Sequence, residues 1–191
     1  MTGQVLGVVL AAGAGARMGR PKALVREPDG TPWVELAVRM LREAGCASVL
    51  VVLGAEADAA RELVPEGARV AEHPGWRDGL GSTVRRALEV AADAPADAVL
   101  LTLVDLPGLP ASVARRVLAA APDDLRASLA RAVFGGRPGH PVLVGRDHWA
   151  RLAETLHGDA GASAYLRAHD ARAVECGDLA GGEDRDRPGP G

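Results

Sequence analysis

Short apolar runs alternate with longer amphipathic stretches along almost the whole chain. The runs at 5–10 (VLGVVL), 48–53 (SVLVVL) and 98–104 (AVLLTLV) are apolar on successive residues and rich in Val, the pattern of strands buried on both faces. Weaker runs predict further strands at 68–72, 126–134, 142–144 and 172–176. Between them the apolar period lengthens to three and four. Val34, Ala37, Val38 and Leu41 mark one face of a helix over 33–44, capped by Thr31, with Pro32 in its first turn and Gly45 ending it. Other helices are predicted from Gly54 to about 64, and over 83–94, 111–121, 146–156 and 163–168. Glycine-rich or polar loops fill 11–22, 73–79, 135–141 and 158–161. The tail from 177 is Gly, Pro and charge, and reads as mobile unless a ligand or metal orders it.

Strands alternating with helices imply an α/β fold, a mixed but mainly parallel sheet covered on both faces. The organisation expected is one domain over 1–176 and a tail over 177–191. Aromatic residues are 3% of the chain, so the core is built from Ala, Val and Leu. The net charge of −3 gives no general basic field, which excludes nucleic acid as an expected partner. No apolar stretch approaches a membrane span. Residues 5–16 could pass for a signal-peptide core, but no basic residue precedes them and RMGRPK follows directly. Cys46 and Cys176 make neither a disulfide framework nor a zinc site, and are expected to be reduced, buried thiols of a cytoplasmic protein.

The chemistry concentrates where the first strand ends. Ala11-Ala12-Gly13-Ala14-Gly15-Ala16 leaves the backbone N–H groups bare, and Arg17 and Lys22 follow. That sequence of strand, bare backbone and cation suits a phosphate-bearing ligand. No Gly-Lys-Ser/Thr follows, so it is not a P-loop. A dinucleotide fingerprint is disfavoured too: Arg20-Pro21-Lys22 prolongs the loop, and the second strand ends in Leu53-Gly54-Ala55 with no acid for a ribose. Asp105 stands at another strand end, ahead of Leu106-Pro107. It is either a carboxylate for a divalent cation or a turn aspartate bonded to nearby backbone. Ser82 and Thr83 open a helix, and their hydroxyls either cap it or meet a ligand. His73 is a loop histidine, solvated or a hydrogen-bond donor. His140, between Gly139 and Pro141, is a candidate for a second substrate or a support for its loop.

LAAGAGARMGRPK, from Leu10 to Lys22, resembles the signature of the molybdenum-cofactor nucleotidyltransferases, which share a fold with the sugar-nucleotide pyrophosphorylases. GLGSTV (79–84), LVDLP (103–107), GRPGHPVL (136–143), GDAGA (158–162) and DRDRP (184–188) resemble later motifs of that family in order. The resemblance implies a three-layer, Rossmann-like nucleotide-diphospho-sugar transferase fold and an NTP lying over the first loop. It implies nucleotide contacts from Leu10, Ala11, Ala12, Gly13, Gly15, Arg17, Lys22, Gly81, Ser82 and Asp105, with Arg17, Lys22 and Asp105 catalytic. Mg²⁺ would be held by Asp105 and, from the Asp184/Asp186 pair, by Asp186. His140 and Asp159 would meet the acceptor.

In such enzymes a phosphate of the acceptor attacks the α-phosphorus and expels pyrophosphate. The LAAG…PK pattern is that of cytidylyltransferase members. A Cβ at Ala12 would crowd a purine, so the expected substrates are CTP and a phosphorylated acceptor, the molybdopterin cofactor, with a molybdoenzyme or chaperone as a protein partner. The chain departs from the family at His73 (commonly Asn), at Arg187 (commonly Thr) and at Ser163, where a lost Arg removes an anion contact. The rival readings are an NAD(P)H-dependent reductase of a small aromatic substrate and a non-catalytic nucleotide-binding relative.

Overall fold

The computed structural model describes residues 3–16, 18–121 and 124–182. Among these residues seven strands form one sheet: β1 (Val5–Ala11), β2 (Ser48–Leu53), β3 (Arg69–Glu72), β4 (Ala98–Leu103), β5 (Leu129–Phe134), β6 (Arg137–Gly145) and β7 (Arg172–Glu175). Their spatial order is β3-β2-β1-β4-β6-β5-β7. All pairings are parallel except the two made by β6. The helices are α1 (Trp33–Glu43), α2 (Ala57–Arg61), α3 (Leu80–Ala92), α4 (Ala111–Ala119), α5 (Trp149–Thr155) and α6 (Ser163–Ala168). Among the described residues, no helix is long and apolar enough to cross a membrane.

The sheet is the middle of three layers, and strand alternation decides which layer each side chain joins. Val9, Val51 and Leu100 pack on one face with Val34, Val38 and Leu41 of α1 and Val113 and Val117 of α4. Val8, Leu50, Val99 and Leu101 pack on the other with Val84 and Leu88 of α3, Leu152 of α5 and Leu166 of α6. Both faces are dry, which is why these strands read as unbroken apolar runs. Truncating a fully buried leucine such as Leu50 or Leu100 to Ala is expected to cost about 2–5 kcal/mol. Gly7 lets α1 lie close to β1, since a Cβ there would come within 3.0 Å of Leu41 Cδ1.

The chain winds outward from β1 through β2 to β3, then returns to place β4 on the other side of β1. The winding reverses between β1 and β4, and a crevice opens beyond their carboxyl ends. The glycine loop and Asp105 leave the sheet at that point.

Several boundaries differ from the sequence pattern for physical reasons. Thr31 does not cap α1. Its N–H is bound by Asp29 Oδ1 at 2.9 Å, and the helix starts one residue later with Pro32 in the cap position. The helix α2 has only five residues, after Glu56 in a left-handed conformation. Helix α3 begins at Leu80, three residues early, because Gly79 with φ +92° turns the chain straight into it. The stretch 135–141 is not a loop. Gly135 and Gly136, with φ of +57° and +76°, make a two-residue turn, and β6 runs from Arg137 onward. Its two prolines, Pro138 and Pro141, disguised it as irregular chain.

The tail is docked as far as 182. The Glu175 carboxylate accepts backbone N–H groups from Gly135, Gly136, Cys176 and Gly177, at 2.8–3.2 Å. These donors, Gly177 foremost, hold its carboxyl below the usual range. Asp178 pairs with Arg116, and Leu179 and Ala180 pack on the core. Cys46 and Cys176 are both buried and free, and burial pushes the Cys46 thiol up to about 12.

Candidate active site

Leu10 and Leu80 both border three lobes of the crevice. The first, of ≈360 Å³, lies between the glycine loop and the end of β4 and is lined by Gly13, Gly15, Lys22, Val104 and Asp105. The second, of ≈400 Å³, runs past Ala12 to Trp76, Arg77, Gly79 and Thr83, with Asp159 at its edge. The third, of ≈170 Å³, holds Arg131, His140, Asp159 and Ser163 over a floor that includes Leu101, Val142 and Leu166.

The glycine loop uses its two glycines differently. Gly15 has φ +60°, and a Cβ there would fall 2.0 Å from the carbonyl oxygen of Arg20. It is required by the loop's own folding, together with the Met18 N–H donated to Gly15 O at 2.8 Å. Gly13 would meet nothing within 4 Å, yet it borders both large lobes. Its bareness faces the cavity. Leu10 and Ala11 end β1 beneath it, and both line the first lobe.

Pro21 starts a short 3₁₀ turn, Lys22–Leu24, that aims Lys22 back across the crevice. Its Nζ donates to Asp105 Oδ2 at 2.6 Å. Asp105 is buried, 8% exposed, and its Oδ1 is enclosed without a hydrogen-bond partner. An unpaired carboxylate oxygen in such a place is costly, and a cation bound there would relieve the cost. One carboxylate next to a phosphate-sized cradle is a sufficient donor set for Mg²⁺, which keeps several waters and takes its remaining oxygens from substrate. Among the described residues no group of three or more His, Cys, Asp or Glu is gathered as a metal cage. Arg17, Asp184 and Asp186 lie outside the described residues.

Ala12 is 2% exposed and wedged against Gly54. A side chain at 54 would strike Ala12 O at 2.5 Å and Trp76 Cβ at 2.7 Å. The end of β2 therefore has no room for the acidic group of a dinucleotide site. Arg77 lies over the Trp76 ring, 4.4 Å from its centroid, and the two form one end of the second lobe.

The expected contacts from the start of α3 are redistributed. Thr83 lines the second lobe, but Ser82 turns inward. Its Oγ donates to Gly79 O at 2.7 Å and lies 2.8 Å from His73 Nε2. His73, half-buried, thus ties the 73–79 loop to α3. Burial, followed by the Arg86 charge, holds its pKa below the usual value. Gly81 meets the 157–160 loop, donating to Gly158 O at 2.9 Å, and a Cβ there would press on Ala160 O at 2.9 Å. Both Gly81 and Ser82 brace the site from behind its wall.

His140 and Asp159, nineteen residues apart in sequence, both line the third lobe. His140 Nδ1 lies 3.4 Å from Leu101 O. Arg131 joins them, a residue that the motifs do not single out. It projects from β5 toward the α6 side, where Leu129 on the same face is core. Its Nη1 reaches Ser163 Oγ at 3.4 Å, so a cation from a strand stands beside the helix position that lacks one. The available signal was a charge in the middle of an apolar strand, LARAVF.

Residues 7–173 match the MobA-like NTP transferase domain. The chain belongs to that family. This MobA-like chain is a nucleotidyltransferase by family membership. A relative named nicotine blue oxidoreductase, from Paenarthrobacter nicotinovorans, is 37% identical over 95% of this chain and 92% of its own length. The molybdenum cofactor guanylyltransferase of Rhodobacter capsulatus is 33% identical over 76% of this chain and 66% of its own. Among solved structures, Rv0371c from Mycobacterium tuberculosis H37Rv superposes with a TM-score of 0.76 at 27% identity, covering 92% of this chain and 89% of that one. Its manganese complex gives 0.70 at 26% identity, over 91% and 87%.

Proposed function

We propose that this protein is a Mg²⁺-dependent cytidylyltransferase that moves CMP from CTP to a phosphorylated pterin, the molybdopterin cofactor, and releases pyrophosphate. The observation that carries the reading is the Lys22–Asp105 pair at the mouth of the glycine loop, with Asp105 Oδ1 left without a partner. The triphosphate would lie in the first lobe against the bare backbone at Gly13, with Lys22 and Arg17 opposing its charge. Bound through Asp105, with Asp186 as a second carboxylate, Mg²⁺ would neutralise the phosphates and the departing pyrophosphate. The base would lie in the second lobe, where the Ala12 methyl group narrows the space and favours a pyrimidine. The acceptor would enter the third lobe beside His140 and Asp159.

No covalent help from the chain is needed. An acceptor phosphate oxygen bonds to the α-phosphorus as the α–β bridging bond breaks, and pyrophosphate leaves with the bonding electrons. The residues position the groups and balance charge. The metal reading gains support from the manganese complex of Rv0371c, and the acceptor from the name of the Rhodobacter relative. A molybdoenzyme or its chaperone would receive the product.

The oxidoreductase name of the Paenarthrobacter relative favours a second reading, reduction of a small aromatic substrate by NAD(P)H. The filled space at Gly54 opposes it. Thermal shift with CTP–Mg²⁺, GTP–Mg²⁺ and NADPH in separate samples decides between them. Stabilisation by CTP–Mg²⁺ alone, with pyrophosphate release on adding acceptor, is the expected result. Stabilisation by NADPH alone would replace this reading with the reductase. Nucleotide binding without any pyrophosphate release would mark a non-catalytic relative.

A further inference from the structure

Arg131 is out of place for a structural residue. Strand alternation puts it on a sheet face packed by helices, between Leu129 and Val133, and the β5–β6 register shifts just after it. A guanidinium has five N–H donors. Here Nε is buried with no acceptor, while Nη1 and Nη2 reach Ser163 Oγ and Gly139 O only at 3.4 Å each. No carboxylate pairs with it among the described ion pairs. Burial, and the charge of Arg167 beside it, disfavour its charged form. A half-buried cation this poorly satisfied costs stability. It faces a small cavity whose floor is apolar.

We propose that Arg131 is an anion anchor in the third lobe, and that the lobe takes a small phosphomonoester with a flat apolar or heterocyclic body. The planar fork of Arg131 matches two oxygens of one phosphate, an arrangement a lysine cannot copy. The body lies on Leu101, Val142 and Leu166. Asp159, at the boundary with the second lobe, repels a second anionic group there and accepts N–H donors from the body. The ring side of the ligand therefore turns toward Asp159 and its phosphate toward Arg131. That this ligand is the acceptor of nucleotidyl transfer rests on the reading above, but the subsite itself does not.

The test uses the full chain and phenyl phosphate, a monoester on a flat ring. Its binding is measured by calorimetry and thermal shift in the wild type, Arg131→Met and Arg131→Lys. Wild type is expected to bind. Arg131→Met weakens binding about thirtyfold or more, and Arg131→Lys falls between. Without ligand, Arg131→Met melts no lower than wild type, because a half-buried, poorly satisfied cation has gone. CTP–Mg²⁺ stabilises all three proteins equally. The proposal is overturned if wild type fails to bind phenyl phosphate, or if either variant binds it as wild type does. It is also overturned if Arg131→Met loses its fold, since the residue is then structural. If CTP–Mg²⁺ stabilises none of the proteins while phenyl phosphate binding still follows Arg131, the subsite stands and the cytidylyltransferase reading fails.

Discussion

Lys22 and Asp105 are 83 residues apart in sequence, and their charged groups meet at 2.6 Å across the mouth of the crevice. The pair closes the gap between the loops after β1 and β4, and each partner is largely withdrawn from water, at 18% and 11% exposure. Removing Lys22 strands a buried carboxylate. Lys22→Ala is expected to destabilise the protein by about 2 kcal/mol, and Lys22→Ala with Asp105→Ala to regain most of that. Pyrophosphate release is expected to fall about a thousandfold in both, and in Asp105→Asn, which keeps the size and shape of the side chain. Melting curves and a pyrophosphate assay on the three variants check this. Near-normal release by Asp105→Asn would remove Asp105 from the metal site.

The two loop glycines separate stability from binding. Gly15→Ala forces a Cβ onto the Arg20 carbonyl at positive φ, and is expected to cost about 2 kcal/mol or more. Gly13→Ala meets no atom of the fold, so its melting temperature stays at the wild-type value. Its methyl group enters the phosphate cradle, and CTP affinity drops about tenfold. Equal effects on melting from both variants would show the loop to be folded differently.

If the protein is the proposed cytidylyltransferase, its base choice rests on one methyl group, that of Ala12. Ala12→Gly opens the second lobe next to Gly54 and Trp76 without disturbing the Ala12 carbonyl, which holds the Ala55 N–H at 2.9 Å. Discrimination between CTP and GTP in kcat/KM is expected to narrow about tenfold. An unchanged ratio would move the selection to Trp76 and Arg77.

Much of this could be read from the chain alone. The central strands β1, β2 and β4 stand out in the apolar pattern because both their faces are dry, whereas the largely exposed edge strands β3 and β7 leave only short, weak runs. The glycine loop and Asp105 were legible because strand ends are where such sheets carry ligands. The double role of Gly13 and Gly15 was not, since a bare residue looks the same whether it spares a carbonyl or makes room for a substrate. Ser82 looked like a ligand contact because its partner, His73, is nine residues away and reached only by the turn at Trp76. β6 was hidden by its prolines. Arg131 was hidden because its meaning depends on α6, which no local pattern in β5 reveals.

His73 makes the wall of the second lobe sensitive to acid. The Ser82 hydroxyl gives its proton to Gly79 O, so Nε2–H of the neutral ring donates to Ser82 Oγ. Burial and the charges of Arg86 and Arg85 oppose protonation, while Asp78 and Glu89 favour it less strongly. The folded pKa lies below the ordinary 6.5, so the unfolded chain takes up the proton first as pH falls. Stability is therefore complete above about 6.5 and declines as pH drops toward the folded value. His73→Gln should flatten the fall in melting temperature between about pH 7.5 and pH 5. An unchanged slope would assign that acid sensitivity to other groups.

Leu10 and Leu80 border all three lobes. An alteration to either side chain reshapes every compartment at once, so neither offers a handle for changing one ligand alone. New preferences have to be written at residues private to a single compartment: Ala12 in the second, Arg131 in the third. A protein partitioned in this way can exchange one of its substrates through few substitutions while keeping the rest of its chemistry, and relatives bearing different activity names on one scaffold are what such a partition would produce.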